Sequence, residues 1–263
     1  MRIVIPALLF VLAGAPAWAQ SGPESVAAAQ EPTNPADPES PANPRRPVWV
    51  VFKDIGRDFS HLATVDTAAV LGVGGMTAAL AHPIDKEVNG RLVGDPWVED
   101  AFAPGKIIGY GLVQGGVAAL TYGWGRKTKA PKVVHIGVDL LRAQILTAGL
   151  TYGLKASVRR ERPDATGYSF PSGHSSVTFA SATVLQRHFG WKGALAYSVA
   201  AYVAVSRLHE NRHYLSDVVF GAAIGTVAGR TVTRHGRDTW AVAAAPTRGG
   251  VYLGLVRAAN PNR

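Results

Sequence analysis

The chain has no cysteine among its 263 residues. This excludes disulfides, thiol nucleophiles and Cys-bound metals, and leaves packing alone to hold the fold. It also lacks a His-Glu-x-x-His string and any acidic cluster, so nothing in it suggests a catalytic metal. No Gly-Lys-Ser/Thr follows its glycines, which removes a nucleotide-binding phosphate loop. RNP, zinc-finger and basic-region patterns are absent as well. Charge is sparse, at 17% of residues, but its balance is basic: 27 Lys and Arg against 18 Asp and Glu, a net +9. In an exported chain such an excess suits an anionic substrate or an anionic membrane surface, and no nucleic-acid partner is expected.

Export is read from residues 1–19. They contain Arg2, an apolar run from Ile3 to Ala13, and a small-x-small ending at Ala17-Trp18-Ala19. Cleavage before Gln20 would remove Arg2 and no acid, leaving a charge of +8. The run is short for a bilayer span, so a cleaved signal is the expectation and an uncleaved anchor the alternative. Residues 20–47 carry seven prolines among Ala, Ser, Asn and Glu. They have too little apolar surface to offset their chain entropy and read as a disordered linker. Residues 48–263 are expected to form one domain, with its motif-bearing core over 133–235.

From Val48 onward the composition shifts to Ala, Gly, Val and Leu in stretches of helical length. Helices are predicted over 61–81, 106–124, 133–157, 172–189, 191–208 and 214–233. Breakers separate them: His82-Pro83, Asp95-Pro96, Pro104-Gly105, Ala130-Pro131, Arg162-Pro163 and Gly190. The expected class is all-α, a six-helix bundle. Residues 240–245 and 251–256 flank Pro246-Thr247-Arg248-Gly249-Gly250 and read as a short C-terminal β-hairpin. Gly109, Gly111, Gly115 and Gly116 in the second helix read as helix-packing sites.

Three polar islands interrupt this chain, each at an expected helix end. The first is Lys155, six residues, then Arg162-Pro163. Lys155, Arg159 and Arg162 recur at helical spacing and would face one point, although a solvated basic C-terminus complementing the helix dipole gives the same pattern. The second is Pro171-Ser172-Gly173-His174. A helix N-terminus with free N–H groups is an anion site, and His174 places a titratable group beside it; an ordinary N-cap is the plainer reading. The third is Ser206-Arg207, five residues, His213, three residues, Asp217. On a helix His213 and Asp217 share a face, so the carboxylate can take the Nδ1 proton and leave Nε2 bare as a nucleophile. A surface His-Asp pair would have the same spacing.

In this order and spacing the three strings resemble the signature of the type 2 phosphatidic acid phosphatase family, which shares its fold and pocket with the vanadium haloperoxidases. All three family motifs stand without substitution, and the resemblance covers residues 133–230. It implies the helical bundle of that superfamily and a phosphoric-ester hydrolase acting on phosphate monoesters, lipid phosphates foremost. Carried over to this chain, Lys155, Arg162 and Arg207 clamp the phosphoryl oxygens, and Ser172 and the Gly173 N–H add neutral donors. His213 attacks phosphorus, Asp217 orients it, and His174 protonates the leaving alkoxide. In the second step His174 takes a proton from the water that cleaves the phosphohistidine. His174 must then begin protonated, which predicts an acidic to neutral optimum. No cofactor or metal is expected, because the cations stabilise the equatorial oxygens; vanadate is expected to inhibit.

Two rival functions share the motifs. A vanadate-dependent haloperoxidase would hold vanadate on the same residues, but those enzymes carry long insertions, and here only 31 residues separate His174 from Ser206. A non-catalytic phosphate or headgroup binder would need the cations but neither His174, His213 nor Asp217. His209, Glu210 and Arg212 read as solvated. His61, His82, His135, His188 and His235 have no motif partners and read as surface or satisfied polar groups.

Many relatives in the family cross a membrane six times. Asp66, Asp139 and Arg142 argue against spans, since each charge at mid-bilayer costs about 2.5 to 3.5 kcal/mol on insertion scales. A cleaved start also delivers Lys155 to the cytoplasm after three spans and leaves the basic loop 126–132 outside. The expectation is a soluble or peripheral periplasmic bundle. The alternative is an integral inner-membrane enzyme with a periplasmic site.

Overall fold

Thr64 accepts a hydrogen bond from the Thr67 N–H and so starts the first expected helix at Val65, four residues later than its hydropathy suggested. The computed structural model describes residues 49–94, 96–234, 239–247 and 250–258, with Ser40 and Asn43. The signal, its cleavage site and nearly all of the linker lie outside the described residues.

The described helices are α1 (Trp49–Ser60), α2 (Val65–Ala81), α3 (Asp85–Leu92), α4 (Pro96–Phe102), α5 (Pro104–Ile108) and α6 (Gly111–Thr128). They continue as α7 (Pro131–Val158), α8 (Gly173–Phe189), α9 (Trp191–Ala194), α10 (Ala196–His209) and α11 (Leu215–Val232). The all-α class holds and each of the six predicted helices is present. Two are broken: the second at Gly109-Tyr110, and the fifth at Leu195. The short helices α1, α3 and α4 were not foreseen. α3 is polar, as DKEVNGRL, and offers no long apolar period to read. The hairpin forms as β1 (Thr239–Thr247) and β2 (Gly250–Ala258), antiparallel from Thr239 opposite Ala258 to Thr247 opposite Gly250, longer than predicted.

α11 sits at the centre, against α2, α7 and α8. Its Gly221, Gly225 and Gly229 recur every four residues along the face that meets α8. A Cβ on Gly225 would stand 2.1 Å from the Ser176 carbonyl oxygen, so only glycine allows this approach. The predicted packing glycines fare differently. Gly111, Gly115 and Gly116 face open space, and only Gly109 is pressed against neighbours.

Polar side chains tie the helices together in the interior. Arg142 of α7 donates from Nε to Asp58 of α1 at 2.9 Å and from Nη1 to Asp139 at 3.3 Å. The other Asp139 oxygen lies 2.8 Å from His188 Nε2 on α8. His135, Asp139 and His188 bring ligand atoms within 4.8 Å of one another; with Arg142 already supplying positive charge to both carboxylates, the cluster is an ion-paired latch.

Three stretches among the described residues are long and apolar enough to cross a membrane: Val65–Leu92, Pro131–Val158 and Leu215–Val232. The charges held against spans do not face outward as a lipid-facing reading requires. Asp139 and Arg142 are buried and paired. Asp66 sits at the start of α2, held by Arg230 and Arg234 at 3.4 and 2.6 Å. Interior pairing of this kind removes most of the insertion cost on which that argument depended. The outward faces carry large apolar side chains, among them Met76, Leu80, Leu112, Leu120 and Trp124, all more than 60% exposed.

Candidate active site

α7 ends because Arg159 adopts a left-handed conformation, φ 52°, with its N–H on the Lys155 carbonyl. The turn breaks the helical phase that sequence spacing assumed. Arg159 folds back to the Ala156 carbonyl and stays out of the site, while Arg160 turns inward. The loop from 159 to 172 then doubles back under its own hydrogen bonds, from Arg162 N–H to the Gly167 carbonyl at 3.0 Å and from Ser169 N–H to the Arg160 carbonyl at 2.7 Å. Lys155 Nζ secures it, donating to the carbonyls of Tyr168 at 2.9 Å and Ser169 at 3.2 Å.

Ser172 caps α8, its hydroxyl accepting from the Ser175 N–H at 3.4 Å. Its own N–H donates to the Asp217 carbonyl at 2.9 Å, joining the start of α8 to the start of α11. Asp217 in turn accepts from the Tyr214 N–H at 2.8 Å, a capping box that fixes the segment just after His213. The start of α8 and the residue just before α11, His213, are thereby brought to one place.

That place is a cavity of about 430 Å³ walled by Lys155, Arg162, Gly173, His174 and His213, with Tyr152 and Tyr168 also lining it. Five of the eight expected site residues thus meet in one space. Three stand behind it. Asp217 is fully buried, with its Oδ2 3.7 Å from His213 Nδ1. His213 precedes α11 and is not on it, so the pair meets through the capping turn and not across a helix face. Ser172 is fully buried as a cap. Arg207 is also buried, donating to the Ser206 hydroxyl at 3.2 Å and paired with Glu210.

Glu210 is therefore not a solvated loop residue, and His209, at the end of α10, is buried too. Arg212 does stay near the surface, paired with Asp164 at 2.9 Å. Of the residues without motif partners, His188 is satisfied inside the bundle and His82 lies at the surface, 3.1 Å from Asp85. His235 lies outside the described residues.

Both imidazoles are held below their ordinary range. Burial pulls His213 down to about 4; Lys155 and Arg162 add to the fall and Asp217 opposes it. His174 is drawn down to about 3, by burial first and then by Arg207, His213 and Arg162, with the Lys106 carbonyl on its ring opposing. These influences run against the expectation that His174 starts protonated, since burial and the Arg207 and Arg162 guanidiniums all disfavour the imidazolium.

Sequence reading missed a second layer. α5 covers His174: a Cβ on Gly109 would lie 2.9 Å from the His174 ring and 2.4 Å from Val203, and one on Gly105 would lie 2.5 Å from Ser206. Arg160 and Asp85 bond directly or through each other to Asp217. The one available signal was Arg160 itself, adjacent to the predicted Arg159.

Comparison with known proteins matches the PAP2 superfamily model to residues 136–240. The lipid A 1-phosphatase of Porphyromonas gingivalis is 36% identical over 112 residues, 41% of this chain and 25% of that protein. The decaprenylphosphoryl-5-phosphoribose phosphatase of Mycobacterium tuberculosis is 34% identical over 93 residues, 32% of this chain and 51% of that protein. The matches thus span between a quarter and a half of those relatives' lengths. The crystal structure of a transmembrane PAP2-type phosphatidylglycerolphosphate phosphatase from Bacillus subtilis aligns with a TM-score of 0.37 and 19% identity, over 70% of this chain and 92% of that one. The stretch that the PAP2 superfamily model matches, residues 136–240, holds all three motifs and both cavity histidines.

Proposed function

We propose that this chain is a metal-independent phosphatase that hydrolyses a lipid phosphate ester through a phosphohistidine on His213. The observation that carries the reading is the shared cavity: two histidines and two cations line one space, at the N-terminus of α8, with a carboxylate behind one histidine only. Lys155, Arg162 and the Gly173 N–H bind the phosphoryl oxygens, and Arg207 joins them when Glu210 releases it. His213, neutral and backed by Asp217, attacks phosphorus. His174 protonates the departing oxygen and then accepts a proton from the water that splits the P–N bond.

The depressed His174 defines when it acquires its proton. A bound phosphate dianion offsets Arg207 and Arg162, so substrate binding raises the affinity of His174 for a proton and makes it an acid only in the complex. Acidic and neutral solutions favour that uptake, which retains the expected optimum by a different route.

A lipid substrate is supported by the names of the two bacterial relatives, both phosphatases of lipid-linked phosphates. The outward apolar faces and the three long apolar stretches support a bundle set into a membrane, which replaces the soluble reading. Its orientation follows from charge. The end away from the cavity carries Arg126, Lys127, Lys129, Lys132, Arg187, Lys192, Arg230 and Arg234, the last two paired with Asp66. Lys132 is roughly 35 Å along α7 from Lys155 at 1.5 Å per residue. The tendency of basic connections to remain in the cytoplasm supports a cavity on the periplasmic face.

Phosphate release from phosphatidate, phosphatidylglycerophosphate, an isoprenyl diphosphate, lipid A phosphate and a soluble monoester tests the proposal. Turnover of at least one lipid, abolished by His213→Ala, is the expected result. Halide oxidation in vanadate and peroxide without phosphate release would establish the haloperoxidase instead.

A further inference from the structure

Arg160 lies outside the three motifs, yet its guanidinium joins two buried carboxylates beside the cavity. Nη1 donates to Asp217 Oδ1 at 2.8 Å and to the Ser216 hydroxyl at 2.7 Å. Nη2 donates to Asp85 Oδ2 at 2.8 Å and approaches His82 Nδ1 at 3.3 Å. Its plane lies over the Tyr214 ring, 4.1 Å from the centroid. Asp85 also accepts from the Ser216 N–H at 2.9 Å and the Ser216 hydroxyl at 2.6 Å.

The same short helix holds the nucleophile from a second point. Asn89, one turn after Asp85 on α3, donates to the His213 carbonyl at 3.1 Å. α3 thus grips the backbone of His213 directly and its carboxylate partner through Arg160. Asp217 has its Oδ1 committed to Arg160, while its Oδ2 accepts the Tyr214 N–H at 2.8 Å and faces His213 Nδ1 across 3.7 Å.

We propose that Arg160, anchored by Asp85, is a positioning residue for the nucleophile: it fixes the Asp217 carboxylate opposite His213 and neutralises part of its charge, so that His213 stays unprotonated and able to attack. The proposal rests on His213 as the nucleophile. Without the guanidinium, Asp217 is free to rotate about its side chain, and its full negative charge faces the imidazole and favours the imidazolium. The other charged or titratable groups around His213 are Lys155 from α7, Arg162 from the loop, His174 from α8 and Arg207 from α10, and none of them contacts Asp217 within hydrogen-bond distance. Arg160 is the cation that does. A lysine would reach only one carboxylate at a time, because the bridge depends on a planar fork.

The test uses the full chain in detergent micelles with p-nitrophenyl phosphate. Arg160→Met is expected to lower kcat about 100-fold, the scale of a lost support to a site group, with KM changed less than about 3-fold. The acidic limb of its kcat/KM profile should move to higher pH, and Arg160→Lys should recover part of the rate. Asp85→Asn, which keeps the side-chain shape, should show a smaller loss, and combining it with Arg160→Met should add nothing further. Wild-type kcat in Arg160→Met, a loss confined to KM, an unmoved acidic limb, or additive losses in the double variant would each overturn the proposal. A lowered melting temperature with an unmoved acidic limb assigns Arg160 to the scaffold. His213→Ala run beside these variants separates the two claims: if it is inactive while Arg160→Met is normal, only the positioning role fails; if it is active, the phosphohistidine reading fails as well.

Discussion

His213 Nδ1 stands 3.7 Å from Asp217 Oδ2, outside hydrogen-bond range, while the same oxygen accepts the Tyr214 N–H at 2.8 Å. The carboxylate is held mainly by the start of α11, and the imidazole faces it across a gap. As a bond forms at Nε2, positive charge grows on the ring and draws this contact tight, so Asp217 acts most strongly in the transition state. Asp217→Asn is therefore expected to reduce kcat by about 10² to 10⁴ with little change in KM. His213→Ala should leave no turnover above background, with circular dichroism unchanged. Steady-state kinetics on both variants check this, and a rise in KM alone for Asp217→Asn would assign it to substrate binding.

His174 is drawn down to about 3 by burial and by Arg207 and Arg162, so its proposed role as the acid in the complex requires anion binding at neutral pH to bring a proton with it. Calorimetry of sulfate binding at pH 7, a dianion that carries no proton of its own there, in buffers of different ionisation enthalpy, should report uptake of about one proton per anion bound. His174→Ala should abolish that uptake. Binding without proton uptake would leave His174 neutral in the complex and remove it as the acid.

Leaving-group dependence isolates the same residue in the reaction. His174→Ala should cost about 10² to 10⁴ on an alkyl phosphate and much less in the first step with p-nitrophenyl phosphate, whose leaving group needs no proton. Because the second step also needs His174, that variant should show a burst of nitrophenol and accumulate phosphate on the protein. Acid-labile, base-stable label on His213 identifies the intermediate. No burst and no label would favour direct attack by water.

In the proposed reaction Lys155, Arg162 and Arg207 do the electrostatic work of a metal, so activity per folded molecule should survive EDTA. Vanadate, which adopts the geometry of the phosphoryl transition state, should inhibit competitively. Loss of turnover on chelation, restored by a divalent ion, would show that the cations are insufficient.

The absence of cysteine makes topology directly measurable. Thr166→Cys in the loop beside the cavity should react with a membrane-impermeant maleimide added to intact cells, and Thr128→Cys in the basic connection should react only after lysis. The protein should also remain in membranes through alkaline extraction. Release at alkaline pH would restore the peripheral bundle, and reversed labelling would turn the cavity to the cytoplasm.

The sequence by itself determined the all-α class, the six helical stretches, the C-terminal hairpin and five of the residues that line the cavity. Those properties follow from local pattern: apolar composition, Pro and Gly breakers, and motif spacing that places a polar group at each helix end. Only the tertiary structure decided which cation turns inward after α7, because a left-handed Arg159 shifts the phase by a step no spacing rule contains. Asp85 and Asp217 meet through Arg160 from segments far apart in the chain, and such a meeting has no local signature. The same limit governed the charges: Asp139 and Arg142 look alike in a string whether they face lipid or each other, and the side they face sets the cost of placing them in a membrane.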